Sequence, residues 1–197
     1  MSNTPSATDV LTRTRDWLDK VVIGLNLCPF AKAVQTKDQI RFVVSNATAP
    51  EQLLHELEQE MRLLAESDPT AIDTTLLIHP QVLNDFLDYN DFLDVADALL
   101  EELELDGVLQ VASFHPDYRF AGTHADDIAN CTNRSPWPIL HLLREDSVAR
   151  AVAAFPDAAT IYERNIATLR TLGSDGWRAL MPGVSNASDT PDKLNDH

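Results

Sequence analysis

The stretch TTLLIHPQVLNDFLDYNDFLDVADALLEELELDGVLQVASFHP, residues 74–116, contains two strand patterns joined by a helix pattern. Residues 74–80 begin with a short apolar run, which is typical of a strand buried on both faces. Residues 82–104 have helical spacing, and Gly107 permits the turn into a strand over 108–114. Strands that alternate with helices favour right-handed crossovers and a mostly parallel sheet covered by helices.

The chain before this unit adds two predicted helices and one predicted strand. Apolar residues recur at helical spacing over about 8–27, and Pro29 should end that helix near Cys28. The segment IRFVVS, residues 40–45, is rich in β-branched and aromatic residues, which predicts a strand. Leucines at helical spacing after Pro50 predict a second helix.

The chain after this unit is predicted to form a polar loop and then helices. The loop is THADDIANCTNRSPWP, residues 123–138, and loops of this length are often functional. Helices are expected at about 138–154 and 157–172. Because three strands are few, we expect a further edge strand within 119–134. The predicted fold is α/β, with a small, mostly parallel sheet of three to four strands covered by helices and a helical C-terminal part.

Composition predicts one domain. We expect a flexible arm over 1–7, a single α/β domain over 8–182 and a disordered tail over 183–197, which is small and polar. The hydrophobic content of 44% is enough for a buried core. No run of about 18 apolar residues is present, and the N-terminus lacks the features of a secretory signal, which favours a cytoplasmic protein.

The charge balance limits the classes of partner. The chain has 31 acidic and 15 basic residues, which gives a net charge of −16. Binding to nucleic acid or to an anionic membrane needs a basic face, so we expect neither partner. A small-molecule ligand in a locally positive pocket fits this composition better than a polymer does. The composition does not indicate a cofactor or an oligomeric state.

Two histidine-proline steps, at His79 and His115, directly follow the second and third predicted strands. Ligands of open α/β sheets bind outside the carboxyl ends of the strands, so these histidines predict a site at that edge. Asp117 and Tyr118 follow His115 directly and would join it. The alternatives are structural: His79 caps a strand, Asp117 forms an Asx-turn and Tyr118 anchors the surface to the core.

The segment NRSP supplies the candidate anion clamp. Arg134 can hold a carboxylate or phosphate through two hydrogen bonds, and Asn133 lies beside it. Alternatively, Arg134 forms a salt bridge with one of the many local acids, and Asn133 caps the following helix.

Cys28 is the candidate nucleophile. It lies between Gly24 and Pro29, where the first helix cannot continue smoothly. A thiol at such a break is activated when a histidine lies within hydrogen-bond reach, and His115 is the expected partner. The alternative is a buried, inert thiol. Cys131 is expected to be an incidental thiol.

The sequence lacks the common cofactor and catalytic motifs. Neither a G-x-G-x-x-G segment, a P-loop nor a G-x-S-x-G elbow occurs. A metal site built from His79, His115 and Cys28 is an alternative without a recognised ligand spacing. The acidic run over 85–106 is typical of a solvated helix face.

Four long phrases carry a family resemblance: GLNLCPFAKAV, TTLLIHPQVLNDFLDYNDFL, LQVASFHPDYRFAGT and TNRSPWPILHLLRE. Over about residues 9–173 the chain resembles a bacterial family known as domain of unknown function 1415. The resemblance implies a stand-alone bacterial cytoplasmic protein, and it implies no activity, cofactor or catalytic residue.

The leading hypothesis is an enzyme that acts on a small polar or anionic metabolite at the carboxyl edge of the sheet. His115 would act as general acid or base, with Cys28 and Asp117 as the other catalytic residues. The predicted substrate-binding residues are His79, Tyr118, Asn133 and Arg134. The alternatives are a metal-binding protein that uses His and Cys ligands and a non-enzymatic binding or assembly protein.

Overall fold

The computed structural model describes residues 4–155 and 160–181. Its strands are β1 (Ile40–Val44), β2 (Thr74–Ile78), β3 (Leu109–Phe114) and β4 (Ile139–Arg144). Its α-helices are α1 (Ala7–Trp17), α2 (Ala31–Thr36), α3 (Pro50–Glu66), α4 (Phe86–Glu102), α5 (Glu145–Ala154) and α6 (Ile161–Leu180). The predicted tail lies outside the described residues, as do residues 1–3 of the predicted arm.

The four strands form one mixed sheet in the order β1-β2-β4-β3. β1 and β2 are parallel, whereas β4 is antiparallel to both β2 and β3. β1, β2 and β3 therefore run in one direction, and β4 runs against them between β2 and β3. The predicted α/β class, with a sheet of three to four strands covered by helices and a helical C-terminal part, is confirmed, but the prediction of a mostly parallel sheet is wrong.

The error lies in β4, which was predicted as the first part of a helix over 138–154. The segment ILHLLR is a short apolar run, and such a run suits a buried strand and a buried helix turn equally well. β2 and β3 both pair with this segment along their open edges. Ile139, its first residue, lies opposite Ile78 of β2 and Phe114 of β3. The fourth strand is therefore central, and the described residues 119–134 contain a short 3-10 helix, Ile128–Asn133, rather than an edge strand.

The helix boundaries follow local capping. Ser6 caps α1, which continues as a π-helical segment over Leu18–Ile23 rather than as an α-helix to residue 27. Asp85 accepts hydrogen bonds from the amides of Leu87 and Asp88, so α4 begins at residue 86 rather than 82. The run from 145 onward does form a helix, α5.

The sheet separates two apolar layers. On one face, α3 and α4 cover a closely packed core that includes Leu57, Leu77 and Leu140, each 0% exposed. On the other face, α1, the π-helical segment and α6 pack against Ile78 and Ile139. Within the described residues, no helix combines the length and the apolar character that crossing a bilayer requires.

Candidate functional site

The carboxyl ends of β1, β2 and β3 lie at one edge of the sheet because these strands share a direction. His79 and His115 come directly after β2 and β3 at this edge, and both are 0% exposed. Their rings flank the Tyr89 ring of α4, with centroids 5.8 and 5.1 Å from it. The Tyr89 hydroxyl donates to Ile139 O and accepts from the amide of Phe114. The histidines therefore belong to the packed α4 face of the sheet.

The turn after β2 fixes the His79 ring. Its Nδ1 lies 3.0 Å from Val82 O and donates to it, since a carbonyl can only accept. Its Nε2 is buried and has no hydrogen-bond partner among the described residues. Burial lowers the pKa of His79 to about 4, so the ring is neutral near pH 7.

Both ring nitrogens of His115 contact backbone groups. Nδ1 accepts from the amide of Asp117 at 3.0 Å, which leaves Nε2 as the donor to Leu83 O at 3.3 Å. Burial lowers the pKa of His115, against the opposing effects of that carbonyl and of nearby carboxylates. The Asp117 side chain is exposed. The backbone amide of Asp117, rather than its carboxylate, bonds to the imidazole. These contacts hold the two turns at this edge together.

The predicted clamp residues bind the loop itself. Arg134 donates from Nε to Tyr118 O at 3.3 Å and from Nη2 to Ala125 O at 2.7 Å. Asn133 donates to Ser113 O at 3.1 Å, and the Tyr118 ring packs edge-on against Phe86. The Arg134 guanidinium thus donates from two of its nitrogens to loop carbonyls. These contacts favour a role in stabilising the loop over a role in binding an anion.

Cys28 lies on the other face of the sheet. It borders a cavity of about 580 Å³ between the sheet, the π-helical segment, α2 and α5. His115 packs on Tyr89 of α4, so the sheet stands between the Cys28 thiol and the His115 imidazole. The structure brings His79, His115, Asp117, Tyr118, Asn133 and Arg134 to one region and does not bring Cys28 to it.

The cavity has an apolar floor and aromatic walls. Leu76, Ala112 and Leu143 from three strands form part of the floor. Aromatic side chains complete the walls: Trp17, Phe30, Phe114 and Phe155. Its volume falls within the range of roughly 300–1,000 Å³ that is usual for small-molecule pockets.

His141 of β4 also borders this cavity and is not among the site residues predicted from the sequence. The Thr74 hydroxyl donates to Leu142 O at 2.6 Å, so its oxygen accepts from Nε2–H of His141 at 2.7 Å. Burial lowers the pKa of His141 to about 4, so the ring is neutral and its Nδ1 carries a lone pair. The alternation of Ile139, His141 and Leu143 in a strand would have placed the imidazole on this face.

Asp73 and Ser147, which border the same cavity as His141, are joined by a hydrogen bond. Ser147 of α5 donates from its hydroxyl to Asp73 Oδ1 at 2.6 Å, and Arg150 donates to the Ser147 hydroxyl oxygen at 2.9 Å. Asp73 and Ser147 border the cavity. The wall therefore combines a large apolar area with a carboxylate, a hydroxyl and an imidazole.

The described residues contain no group of three or more His, Cys, Asp or Glu side chains that is arranged to hold a metal ion. The three ligands of the metal alternative are also divided, because His79 and His115 lie on the α4 face and Cys28 borders the cavity.

Comparison with known proteins gives one match. No curated protein and no solved structure matches the chain. The family model described as "Protein of unknown function (DUF1415)" matches residues 9–179, which is most of the chain and most of the fold described above. The chain therefore belongs to the DUF1415 family.

Proposed function

We propose that this chain binds a small, largely apolar organic molecule in the cavity between the sheet, α2 and α5. The observation that carries the proposal is the cavity of about 580 Å³, in which apolar walls surround a few polar groups. Asp73, His141 and Ser147 supply those groups. A pocket of this kind takes its affinity from apolar burial and its orientation from the polar contacts.

Helix α2, which lies over the cavity, supports this proposal. α2 has no buried residue, although Ala31 and Val34 on it border the cavity. An apolar helix surface over empty space lacks the packing that normally stabilises a short helix. A ligand that fills the cavity would supply that packing and would stabilise α2.

The π-helical segment, which contacts α2, supports it as well. The π-helical segment contributes Leu18 and Val22 to the cavity, directly after Trp17. π-Helical turns are rare and are found frequently at functional sites. Cys28, a free and half-buried cysteine, follows this segment, so a thiol and the His141 imidazole border the same space. An enzymatic reaction in this cavity would use these two groups.

The second candidate is the enzyme predicted from the sequence, which acts on a small polar or anionic metabolite at the carboxyl edge. The buried Nε2 of His79, without a hydrogen-bond partner in the described part of the chain, favours it. The catalytic role of His115, Cys28 and Asp117 and the binding role of Arg134 stay predictions. Binding that is lost in His115→Gln and kept in a variant with a filled cavity would support this candidate.

A thermal-shift screen against a library of small organic molecules tests the leading proposal, since a ligand of the folded state raises the melting temperature. Ala151→Phe on α5 places a ring in the cavity, whereas Ala149→Phe places it on an exposed part of the same helix. We expect ligands to lose at least about tenfold in affinity in Ala151→Phe and to bind Ala149→Phe as they bind the natural chain. Ligands that bind both variants equally well would refute a site in this cavity.

A further inference from the structure

The cavity wall carries negative charge and lacks positive charge within the described residues. Its ionisable side chains are Asp73, His141 and Cys28, and neither lysine nor arginine borders it there. In that same part of the chain, Asp73 has no ion-pair partner. The net charge of −16 adds a general potential that opposes the entry of an anion.

Arg150 is the basic side chain connected to this carboxylate. Its Nη2 donates to Ser147 Oγ at 2.9 Å, so the serine hydroxyl lies between the guanidinium and Asp73. Arg150 is exposed on α5, where water screens its charge more strongly than it screens a group on the cavity wall. The carboxylate therefore remains available to a positive group inside the cavity.

The hydrogen-bonding groups of the cavity wall also favour a cation, because those that are left unpaired are mainly acceptors. The hydroxyls of Thr74 and Ser147 donate to Leu142 O and to Asp73, and the Nε2–H of His141 donates to Thr74. The groups left over are acceptors, namely the second carboxylate oxygen of Asp73 and Nδ1 of His141. Gln110 and the Cys28 thiol are the remaining donors among the described lining residues. A ligand that brings its own donors satisfies this wall best.

Aromatic rings supply a third contribution. Trp17 packs edge-on to Phe114 at 5.3 Å between centroids, and Phe30 packs edge-on to Phe155 at 5.9 Å. The faces of aromatic rings attract cations. Phe155 already holds one, because Arg164 lies with its Cζ 5.4 Å from the ring centroid, and Arg164 is not part of the described cavity lining.

From this charge, this acceptor bias and these rings, we infer that the ligand is a small organic cation: an amine with an apolar or aromatic body. The ammonium group lies toward Asp73 and His141, and the body lies between the sheet and α2. This inference rests on the proposed function and adds the class of ligand.

The experiment uses three probes that share a carbon skeleton: phenylpropylamine, phenylpropanol and phenylpropionate. They are cationic, neutral and anionic at neutral pH, and their binding to the full chain is measured by titration with ligand-observed NMR. We expect the amine to bind at least about tenfold more tightly than the carboxylate, with the alcohol between them. Asp73→Asn keeps an acceptor for Ser147 and removes the charge, so it should reduce the preference to about threefold or less. Asp91→Asn, at an exposed position of α4, lowers the total negative charge by the same amount and should preserve the preference for the amine.

The outcomes distinguish a failure of the inferred ligand class from a failure of the proposed function. Binding of the alcohol and the carboxylate without a preference for the amine would refute the cation and leave the cavity as a binding site. A preference that survives Asp73→Asn, or that Asp91→Asn reduces equally, would refute the role of Asp73. Two results together would refute both the ligand class and the proposed function. None of the three probes binds, and Ala151→Phe leaves the affinity of every ligand found in the library screen unchanged.

Discussion

The two faces of the sheet carry similar residues and differ in how completely they are packed. On the α4 face, His79 and His115 are buried against Tyr89 and bonded to turn carbonyls. On the other face, His141 borders a cavity of about 580 Å³, together with Cys28. An imidazole thus becomes a structural group where packing is complete and an available acceptor where packing leaves space.

The largest expected effect compares two leucines of the same strand. Leu140 is 0% exposed in the α4-face core, whereas Leu143 is half-buried on the cavity wall. Leu140→Ala should lower the free energy of unfolding by about 3–4 kcal/mol, because it creates a new cavity in a packed core. Leu143→Ala should cost about 1–2 kcal/mol, because it enlarges an existing space.

Urea unfolding of both variants measures this difference, with an unchanged m-value as the control for two-state behaviour. Equal losses would mean that the cavity face is packed as closely as the α4 face. The contrast between the two faces would then disappear.

A smaller effect concerns the pH dependence of stability. The pKa of His79 is about 4 in the folded chain and about 6.5 when unfolded. Above about pH 6.5 the ring is neutral in both states and this group contributes no pH dependence. As the pH falls from about 6.5 to about 4, the unfolded chain binds a proton that the folded chain does not. The free energy of unfolding should therefore decrease by about 1.4 kcal/mol per pH unit from this group.

The comparison of His79→Gln with the natural chain isolates this contribution from those of the acids. The variant should have a shallower slope between about pH 6 and pH 5, by close to one proton, in urea unfolding. His55→Gln, at an exposed position of α3, is the matched control and should keep the natural slope. A slope that His79→Gln leaves unaltered would show that the imidazole titrates normally when folded.

The smallest effect compares the two thiols. Cys28 is half-buried beside the cavity, whereas Cys131 is 3% exposed and burial raises its pKa. Iodoacetamide should therefore label Cys28 faster than Cys131, by on the order of tenfold, as measured by mass spectrometry of the peptides. Ala151→Phe should slow the labelling of Cys28 alone, because the added ring fills part of the cavity that Cys28 borders. Similar rates at both cysteines would indicate that the cavity is closed to small reagents.

Much of the fold could be predicted from local patterns. The strand over 74–78 and the strand over 109–114 are short apolar runs bounded by turn residues, and the helix between them has clear helical spacing. β4 could not be assigned in this way, because ILHLLR is too short for its period to separate strand from helix. Arg144 at its end donates to Leu64 O and Ser67 O of the α3 terminus, a contact across the fold that no local pattern contains.

The candidate site, too, could be predicted from local patterns only in part. The two histidine-proline steps located the carboxyl edge, since the position of a residue after a strand is a local property. The state of those imidazoles depended on Tyr89, Val82 and Leu83, which reach them only in the folded chain. His141 was missed because its strand was missed. The opposed positions of Cys28 and His115 on the two faces followed from the packing of helices that the sequence does not order in space.

The sequence by itself determined the alternation of strands and helices, the acidic character of the molecule and the family to which it belongs. These are properties of local pattern and composition, and they do not depend on which segments become neighbours. Only the tertiary structure decided that β4 lies between β2 and β3, that His79 and His115 are enclosed, and that Cys28 and His141 border one cavity. The physical reason is that pairing, burial and empty volume are relations between distant segments, and they exist only when those segments are packed together.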